Sequence, residues 1–390
     1  MKITFGQERG SAMLITLVVM LLVSTVALMA VKKSTTDMNM SYNQVHEEQA
    51  FYVAEAGAKQ AVAALDADTY WKAGYSDERF GEGYYSVNVL DSNDVSGLGD
   101  TMLVVSRGEA NRAVAEVEVS LLPDFVYPFS YAMFADKGIH FDRETCTDSW
   151  DSDSGSYELT QLDSLGNVGS NGTITSSKDV TFGGDISTAT PGGIGLGSGN
   201  AIHGDSTSSA DSVDLDIIPD EEYAWAAANS VAPDGLSGSN FTYDKDTKAL
   251  VSGQNSNVEL AGGVYFFSSI LLGQNSNLTV ADGEVAVIYI TGDITFNQGS
   301  TLNDYHSPSD LMIYSQGSLT FNQDNKFYGT FYGPNAHIQY DQTSEVYGSI
   351  VGSTIKLDQG ACFHYDTALG KIKRKKLSGV TQVAWRELDG

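Results

Sequence analysis

Near its start the chain carries a long run of residues without any charge. The run covers residues 11–31, which is 21 residues. As a helix that rises about 1.5 Å per residue it would span roughly 30 Å, the thickness of the hydrocarbon core of a bilayer. A secretory signal peptide has a shorter apolar core followed by a cleavage site, and no such site ends this run. The sequence therefore predicts a transmembrane helix over residues 11–31.

The helical pattern continues well beyond the apolar run. Small and apolar residues recur at steps of four, three, four and four, which places them in one narrow stripe on a helix: Ala50, Ala54, Gly57, Ala61 and Leu65. No proline interrupts this region, so we predict a single helix over residues 11–66. Small side chains allow another helix to approach closely, and we expect so long a helix to need neighbours.

Two motifs on this predicted helix resemble pilin sequences. The string ERGSAMLI at residues 8–15 resembles a class III prepilin leader, a short basic peptide that ends in glycine just before the apolar helix. The string EQAFYVAEAG at residues 48–57 is similar to the A-F-x-x-A-E-A-G stretch of the PilX-type minor pilins. The two matches together cover roughly the first 65 residues.

This resemblance implies that residues 1–10 are a leader peptide. A prepilin peptidase is expected to cleave between Gly10 and Ser11, after which Ser11 is N-methylated. The resemblance also implies a single-pass anchor in the bacterial inner membrane, a large periplasmic C-terminal part, and later transfer into a pilus outside the cell. Other pilins or pseudopilins, contacted through the N-terminal helix, are then the expected partners.

The chain departs from the major pilins at two positions. Its first residue after the expected cleavage site is Ser11 rather than Phe, and its fifth is Ile15 rather than Glu. In major pilins that carboxylate is thought to meet the N-terminal amine of a neighbouring subunit, and an unpaired charge in lipid is costly. Its absence is similar to tip-located minor pilins and pseudopilins, which leads to the hypothesis of an initiator or tip component.

The composition beyond the helix is typical of β structure. The chain has 40 Gly, 20 Tyr and 16 Phe but only 18% charged residues, and clusters of Ser, Thr, Asn and Asp separate short apolar runs. Its formal net charge of −28 repels phosphate backbones, so nucleic acid is not an expected partner. We predict a mainly β protein with one long N-terminal α-helix.

Residues 67–125 alternate between apolar and polar positions. Turn residues occur at 91–100 and 107–111. The segments between them have the period of two that is typical of strands: residues 84–90, 102–106 and 113–121. We predict a small antiparallel module that packs one face on the helix, an arrangement that resembles the globular head of a pilin.

The next part of the chain, over residues 126–370, is repetitive. The string YGTFYG at residues 328–333 recurs as YGSIVG 19 residues later, and GQNSN at residues 253–257 recurs 20 residues later. Periods near twenty, with short strands and Gly or Asn at the corners, are typical of the stacked turns of a β-solenoid. An offset of 19 places Ile338 beside Leu357 and His337 beside Lys356, which keeps the inward and outward faces in phase.

A second and looser resemblance extends over roughly residues 130–390. Strings such as TDSWDS at residues 147–152 and VAWREL at residues 383–388 resemble the β-helical C-terminal domain of large PilX-type pilus assembly proteins. This resemblance implies a right-handed β-helix. A basic segment over residues 371–390 follows the predicted solenoid as a strand or tail, and we assign it no function.

Enzymes that act on polysaccharides also use β-helices, so a catalytic site is an alternative for the predicted solenoid. Such sites need clustered acids, or a base beside acids that bind calcium. The best constellation is His337 beside Lys356 with Asp341 and Asp358 at nearby corners. Its spacing matches no known catalytic motif, so we predict that the chain is not an enzyme.

Acidic residues near the start of the repetitive part resemble a fragment of a calcium loop. They are Asp148, Asp151 and Asp153, followed by Gly155. The glycine and terminal glutamate positions of an EF-hand are missing, and no Cys and His spacing typical of zinc occurs. We therefore predict neither a metal nor a cofactor.

Two cysteines, Cys146 and Cys362, are the only ones in the chain. They are too far apart for a metal motif and too few for a disulfide framework. If both lie outside the cytoplasm, as the resemblance implies, pairing is allowed and would tie the first strands of the module to the last. A disulfide and two free thiols both stay open.

These features predict a structural minor pilin-like subunit of a type IV pilus or type II secretion pseudopilus. Its expected place is the initiating or tip position, with an adhesive role towards surface glycans or towards host or abiotic surfaces. One alternative is a membrane-anchored β-helix enzyme or binding protein that acts on cell-surface glycans. Another is a static envelope scaffold, for which no processing at Gly10 is expected.

Overall fold

The computed structural model describes residues 9–92, 94–304 and 307–388, with side chains from residue 13 onwards. Most of the predicted leader, residues 1–8, lies outside the described residues. The backbone at Gly10 is helical.

The described chain contains one very long helix and many strands. The helices are α1 (Arg9–Ala67), α2 (Tyr157–Thr160) and α3 (Asp220–Asn229), with 3-10 turns at Pro308–Asp310 and Thr367–Lys371. The strands of the first half are β1 (Tyr75–Phe80), β2 (Gly83–Leu90), β3 (Met102–Ala110), β4 (Ala113–Val126), β5 (Met133–Phe141), β6 (Cys146–Trp150), β7 (Val168–Ser170), β8 (Thr173–Lys178), β9 (Thr181–Phe182), β10 (Ile186–Thr188), β11 (Ile194–Ser198), β12 (Ala201–Ile202) and β13 (Ser206–Ser208). The strands of the second half are β14 (Leu236–Tyr243), β15 (Ala249–Leu260), β16 (Gly263–Phe267), β17 (Ser269–Leu272), β18 (Asn277–Val280), β19 (Ala286–Ile290), β20 (Ile294–Phe296), β21 (Thr301–Leu302), β22 (Leu311–Ser315), β23 (Leu319–Phe321), β24 (Lys326–Tyr340), β25 (Glu345–Leu357), β26 (Cys362–Asp366) and β27 (Arg374–Leu388).

These elements form two compact units. The first contains the chain up to Asp124 together with the residues from Ser378 onwards, and the second covers Phe125–Leu377. In the first unit the strand order is β1, β2, β3, β4 and β27, with antiparallel pairing from β1 to β4. The C-terminal strand β27 is therefore a strand of this sheet, a pairing that local sequence patterns did not predict.

The hairpin between β3 and β4 corrects one predicted turn. Asn111 and Arg112 have φ values of 50° and 74°, the left-handed conformation that a two-residue hairpin turn requires. The predicted turn over residues 107–111 is too long, because β3 continues to Ala110 and Arg107 pairs with Glu116 of β4.

The stripe of small residues on α1 packs against this sheet. Its members are buried: Ala50, Ala54, Gly57, Ala61 and Leu65. A Cβ atom at Gly108 of β3 would lie 2.3 Å from the backbone oxygen of Ala50, so helix and strand meet backbone to backbone. Small residues were expected to allow another helix to approach, and the β module was expected to pack one face on the helix. The partner of the stripe is this sheet, because a strand that lacks a side chain at the contact approaches as closely as a helix does.

The second unit is a solenoid-like stack of short parallel strands in three columns, here called faces A, B and C. Face A contains β16, β19, β22, β24, β25, β5, β7, β10 and β13. Face B contains β15, β17, β20, β23, β24, β25, β5, β8 and β11. Face C contains β15, β18, β21, β24, β25, β26, β6, β9 and β12. The solenoid-like arrangement is as predicted, and the right-handedness stays a prediction.

The coils of this solenoid do not stack in chain order. β5 pairs with β25 and β6 pairs with β26, so the first coil lies beside the last. From that junction the coils up to β13 extend in one direction and the coils from β26 back to β15 extend in the other. Cys146 and Cys362 are register partners across the junction and are joined by a disulfide, although 216 residues separate them in the sequence.

The predicted register is right for part of the repeat and wrong for the rest. Offsets of 20 and 19 hold, because Asn257 pairs with Asn277 and Tyr328 with Tyr347. Ile338, however, pairs with Ile355 rather than with Leu357. The register shifts between β24 and β25 after Gly333 and Gly352, where β24 has two extra residues. An insertion of two residues leaves every later side chain on its original face. The predicted alternation of inward and outward side chains is therefore unaffected by the wrong register.

The core of the solenoid consists of apolar ladders that run through successive coils. One inward row on face B is fully buried and in register along six coils: Ile294, Leu319, Ile338, Ile355, Ile139 and Ile174. Branched side chains repeated at one height fill the interior without gaps and hold the coils in register. The row crosses the junction between β25 and β5 without interruption, so the first and last coils share one core.

Candidate functional site

The first half of α1 is apolar and exposed. Met13 and Leu21 are 71% and 60% exposed, and from Met13 the helix is long and apolar enough to cross a membrane. Its hydroxyl groups are satisfied within the helix: Thr16 Oγ1 donates to the carbonyl of Met13 at 2.9 Å, and Ser24 Oγ to that of Met20 at 2.7 Å. Polar groups in lipid must find partners inside the protein, so this segment fits a bilayer anchor.

The residues of the expected processing site lie at the start of this anchor. Gly10 and Ser11 are in the first turns of α1, and cleavage between them stays a prediction. Ile15 is 61% exposed. The position at which major pilins carry a glutamate is therefore an apolar side chain on the open surface of the helix.

The predicted catalytic constellation is not brought together on face B. His337 has Thr354 as its register partner, with Nδ1 2.7 Å from Thr354 Oγ1. Lys356 pairs with Gln339 instead, and its Nζ forms an ion pair with Asp358 at 2.7 Å. The prediction that His337 lies beside Lys356 is wrong, because the two extra residues of β24 shift the register there. Asp341 accepts a hydrogen bond from Gln339 Nε2 at 2.7 Å. The hydrogen bond to Asp358 and, less strongly, the charge of Asp341 raise the pKa of Lys356, so the lysine lies near both carboxylates but is not paired with His337.

The predicted fragment of a calcium loop is also divided among separate partners. Asp148 is buried and accepts hydrogen bonds from Tyr157 Oη at 2.6 Å and Gln161 Nε2 at 2.9 Å. Asp151 accepts from the backbone N–H of Asp153 at 3.1 Å, and Asp153 forms an exposed ion pair with a lysine. Within the described ranges no three ligands of a type that binds metal converge.

Face C carries a row of stacked side chains that the sequence analysis missed. Tyr328, Tyr347 and His364 follow one another in successive coils, with ring centroids 4.2 Å and 4.5 Å apart. Asp148 comes next in the row, and its Oδ1 lies 2.7 Å from His364 Nδ1. The repeat held part of the signal, because its first position is tyrosine in both copies. The step from Tyr347 to His364 is 17 residues rather than 19, so the offset of the repeat does not lead to the histidine.

The long helix described above has a match among known families. Residues 9–59 match the family model described as PilX N-terminal. The N-terminal segment of this chain is that of a PilX-type pilin. Residues 242–372 match the family model described as "Domain of unknown function (DUF7305)". No curated protein sequence matches the chain significantly.

Three solved structures share parts of the arrangement at low similarity. The competence-associated pilin ComZ from Thermus thermophilus is 12% identical, with a TM-score of 0.34, and the match covers 88% of this chain and 98% of ComZ. An ice-binding protein from Antarctomyces psychrotrophicus is 16% identical, with a TM-score of 0.35 and coverage of 61% and 95%. The Shewanella frigidimarina ice-binding protein_1 DUF3494 domain is 13% identical, with a TM-score of 0.35 and coverage of 63% and 97%. TM-scores at this level do not assign a shared fold or function.

Face A of the solenoid is covered by other segments of the same unit. Tyr289, Tyr314 and Tyr332 form an outward aromatic row in successive coils, and burial raises the pKa of Tyr314 to about 12. Tyr332 Oη donates to the carbonyl of Asp216 at 2.8 Å. Tyr223 of α3 packs edge-on against Tyr289 with centroids 5.6 Å apart. Aromatic side chains on this face are therefore structural.

Proposed function

We propose that this type IV pilus-related pilin is a minor subunit that initiates or tips a pilus or a type II secretion pseudopilus. The supporting observation is the division of α1 into two halves. Its first half, over residues 13–31, is apolar and exposed, whereas the stripe around Ala54 is packed on the chain's own sheet. The part of α1 before Ala50 is left to contact lipid or periplasm before assembly and other pilin helices afterwards.

The tip position is supported by the side chain at residue 15. An apolar Ile15 costs nothing in lipid, whereas an unpaired carboxylate there is expensive. A subunit without that carboxylate has no charge with which to pair the N-terminal amine of a following subunit. We therefore expect few copies per filament, at the end where no further pairing is needed.

We propose a binding role rather than a catalytic role for the solenoid. The residues that most resembled a catalytic set, His337 and Lys356, are engaged with Thr354 and Asp358 on the surface. Surface glycans and host or abiotic surfaces are the proposed ligands of the solenoid. An anchored glycan-cleaving enzyme would instead release sugar fragments in a reaction that Lys356→Ala abolishes.

Processing at Gly10 is the first property to test. Intact mass and N-terminal sequencing of the protein from its native membrane should show a chain that starts at methylated Ser11. Gly10→Ala should block this cleavage, whereas Gly6→Ala, a glycine change elsewhere in the predicted leader, should not. A wild-type chain that starts at Met1 would contradict the pilin proposal and indicate a static anchored scaffold.

A further inference from the structure

A small pocket opens on face C beside the junction of the first and last coils. Its volume is ≈ 240 Å³, below the roughly 300–1,000 Å³ that is usual for drug-sized ligands. Three aromatic residues, three serines, one glutamate and one glycine line it: Trp150, Tyr157, Tyr328, Ser152, Ser156, Ser307, Glu158 and Gly155. The pocket therefore has room for one molecule about the size of a single ring.

The aromatic walls of this pocket are held in place by other rings. Tyr328 stacks on Tyr347 with centroids 4.2 Å apart and an interplanar angle of 2°. Trp150 meets Tyr157 edge-on with centroids 6.3 Å apart. Trp150 and Tyr328 are only 5% and 7% exposed, so their orientations are fixed by packing. Fixed aromatic surfaces take up the apolar side of a ligand with little loss of side-chain entropy.

Hydrogen-bonding groups line the same pocket. Ser152 Oγ donates to Asp366 Oδ2 at 2.6 Å and lies 3.3 Å from Ser307 Oγ. Trp150 Nε1 is buried and has no hydrogen-bond partner within the described chain. An unsatisfied buried donor is costly. The pocket thus combines apolar faces with donors and acceptors at its edge.

The charge near the pocket disfavours anions. Hydrogen bonds from its own backbone N–H and from Ser156 lower the pKa of the exposed Glu158, so this carboxylate is ionised at neutral pH. The chain as a whole has a formal net charge of −28. Acidic ligands are repelled by this field, whereas hydroxyl and ammonium groups donate to a carboxylate.

A buried network fixes the segment that carries Tyr157. Asp148 accepts hydrogen bonds from Tyr157 Oη at 2.6 Å and Gln161 Nε2 at 2.9 Å, and its other oxygen lies 2.7 Å from His364 Nδ1. The wall of the pocket is therefore tied to the strands of the junction. A wall that is already ordered does not lose that freedom when a ligand binds.

We propose that this pocket binds one neutral or amino sugar residue. A pyranose ring has an apolar face of C–H groups and a rim of hydroxyls, which together match the rings of Trp150 and Tyr328 and the polar groups of Ser152 and Glu158. An apolar ligand would leave the polar groups unused, and an acidic sugar would meet Glu158. The binding needs no filament, so it holds or fails independently of the pilin proposal.

The test is a titration of the full-length chain in a detergent that has no sugar headgroup. The probes are methyl glucoside, N-acetylglucosamine, glucosamine and glucuronate, followed by ligand-observed NMR and calorimetry. At least one of the first three should bind with a Kd on the order of millimolar, as expected for so small a ligand. Glucuronate should bind at least tenfold more weakly.

Three variants locate the binding. Ser152→Ala and Trp150→Phe should each weaken binding about tenfold or more, whereas Trp225→Phe, a tryptophan on α3 that is 52% exposed, should not change it. Glu158→Lys lies on the surface and leaves the fold intact, and it should reverse the discrimination between glucosamine and glucuronate. This variant keeps the test decisive if Trp150→Phe misfolds.

Two results would overturn the proposal. One is the absence of saturable binding for all four probes to a chain whose folding is shown by circular dichroism. The other is binding that is unchanged in both Ser152→Ala and Glu158→Lys, which would place the sugar elsewhere on the surface.

Discussion

The two compact units reach their strand order by different routes. In the first unit, β1 to β4 pair in chain order and α1, which precedes them, packs on β2 and β3; only β27 comes from far away in the sequence. In the second unit, the first coil pairs with a coil more than 200 residues later, and the Cys146–Cys362 disulfide spans that junction with a sequence separation of 216. Closing a long loop costs more chain entropy than closing a short one. The first unit, whose strands are mostly close in sequence, is held by non-covalent packing of α1 on the sheet. The second unit, whose first and last coils are far apart in sequence, has a disulfide at their junction.

Removal of the disulfide should have the largest effect on this difference. The double variant Cys146→Ser, Cys362→Ser should lower the free energy of unfolding of the second unit by about 2–5 kcal/mol, because the unfolded chain regains the freedom of a very long loop. Chemical denaturation of the full-length chain, followed by hydrogen exchange, distinguishes the two units. Protection of β2 and β3 in the first unit should be unchanged. Equal loss of protection in both units would show that they do not unfold separately.

A backbone contact in the first unit should give the next largest effect. Gly108→Val places a side chain where even a Cβ atom would lie 2.3 Å from Ala50 O and from Ala54 N, so α1 must move off the sheet at a cost of about 2–3 kcal/mol. Urea denaturation with hydrogen exchange should show destabilisation of the first unit and none of the solenoid.

The adjacent residue provides the matched control for Gly108→Val. Glu109→Val introduces the same side chain on the exposed face of β3, where the ion pair with Arg107 at 3.5 Å is weak. Its effect should lie within about 0.5 kcal/mol, as for most surface changes. If both variants destabilise equally, the loss reflects the strand and not its contact with the helix.

The titration of Asp366, near the junction, should change the free energy of unfolding of the second unit by a smaller amount. Burial raises the pKa of Asp366, so the folded chain binds this proton more tightly than the unfolded chain does. The stability of the second unit should therefore rise as the pH falls from neutral through that raised pKa, and this gain should be complete below the ordinary value of 3.8. Asp366→Asn should lack this contribution, so the difference in unfolding free energy between wild type and variant should change with pH. A difference that is constant from pH 7 to pH 4 would show that Asp366 does not titrate differently on folding.

The change at residue 15 should affect neither unit. Ile15→Glu lies in the exposed half of α1, so the unfolding of both units should stay as in wild type. If the tip proposal holds, the variant should move from the filament end into the shaft, and its copy number per filament, measured by quantitative mass spectrometry and immunogold labelling, should rise. Ile15→Leu is the control and should behave as wild type. An unchanged distribution for Ile15→Glu would contradict the role given to the missing carboxylate.

The register error shows how far a repeat can be followed by sequence alone. The tyrosine repeat gave the pairing of Tyr328 with Tyr347, which the structure confirms. The same offset failed from His337 onwards, because β24 accommodates two extra residues that its neighbour lacks. An even insertion preserves the alternation of inward and outward side chains, so nothing in the pattern of Ile338 and its neighbours reveals it.

The pocket on face C was hidden from sequence reasoning for a different reason. Trp150 and Ser152 lie near the start of the solenoid, Tyr328 lies late in it, and Asp366 belongs to its last coil. No local period links these positions. They meet only because the stack places the first coil beside the last, a non-local pairing whose entropic cost is repaid by the shared core.

The sequence by itself determined the elements and their surroundings: an anchor helix from an uncharged run, a small-residue stripe that must face something close, strands from alternation, and a solenoid from periods near twenty. These are properties of local composition, which decides which surface of an element avoids water. Tertiary structure alone decided which surface met which: the stripe of Ala54 met a strand at Gly108 rather than a helix, and Cys146 met Cys362 across the junction. The hydrophobic effect has no direction, so an apolar surface can be buried against any other apolar surface. Which two surfaces pack together is decided by backbone geometry and loop closure.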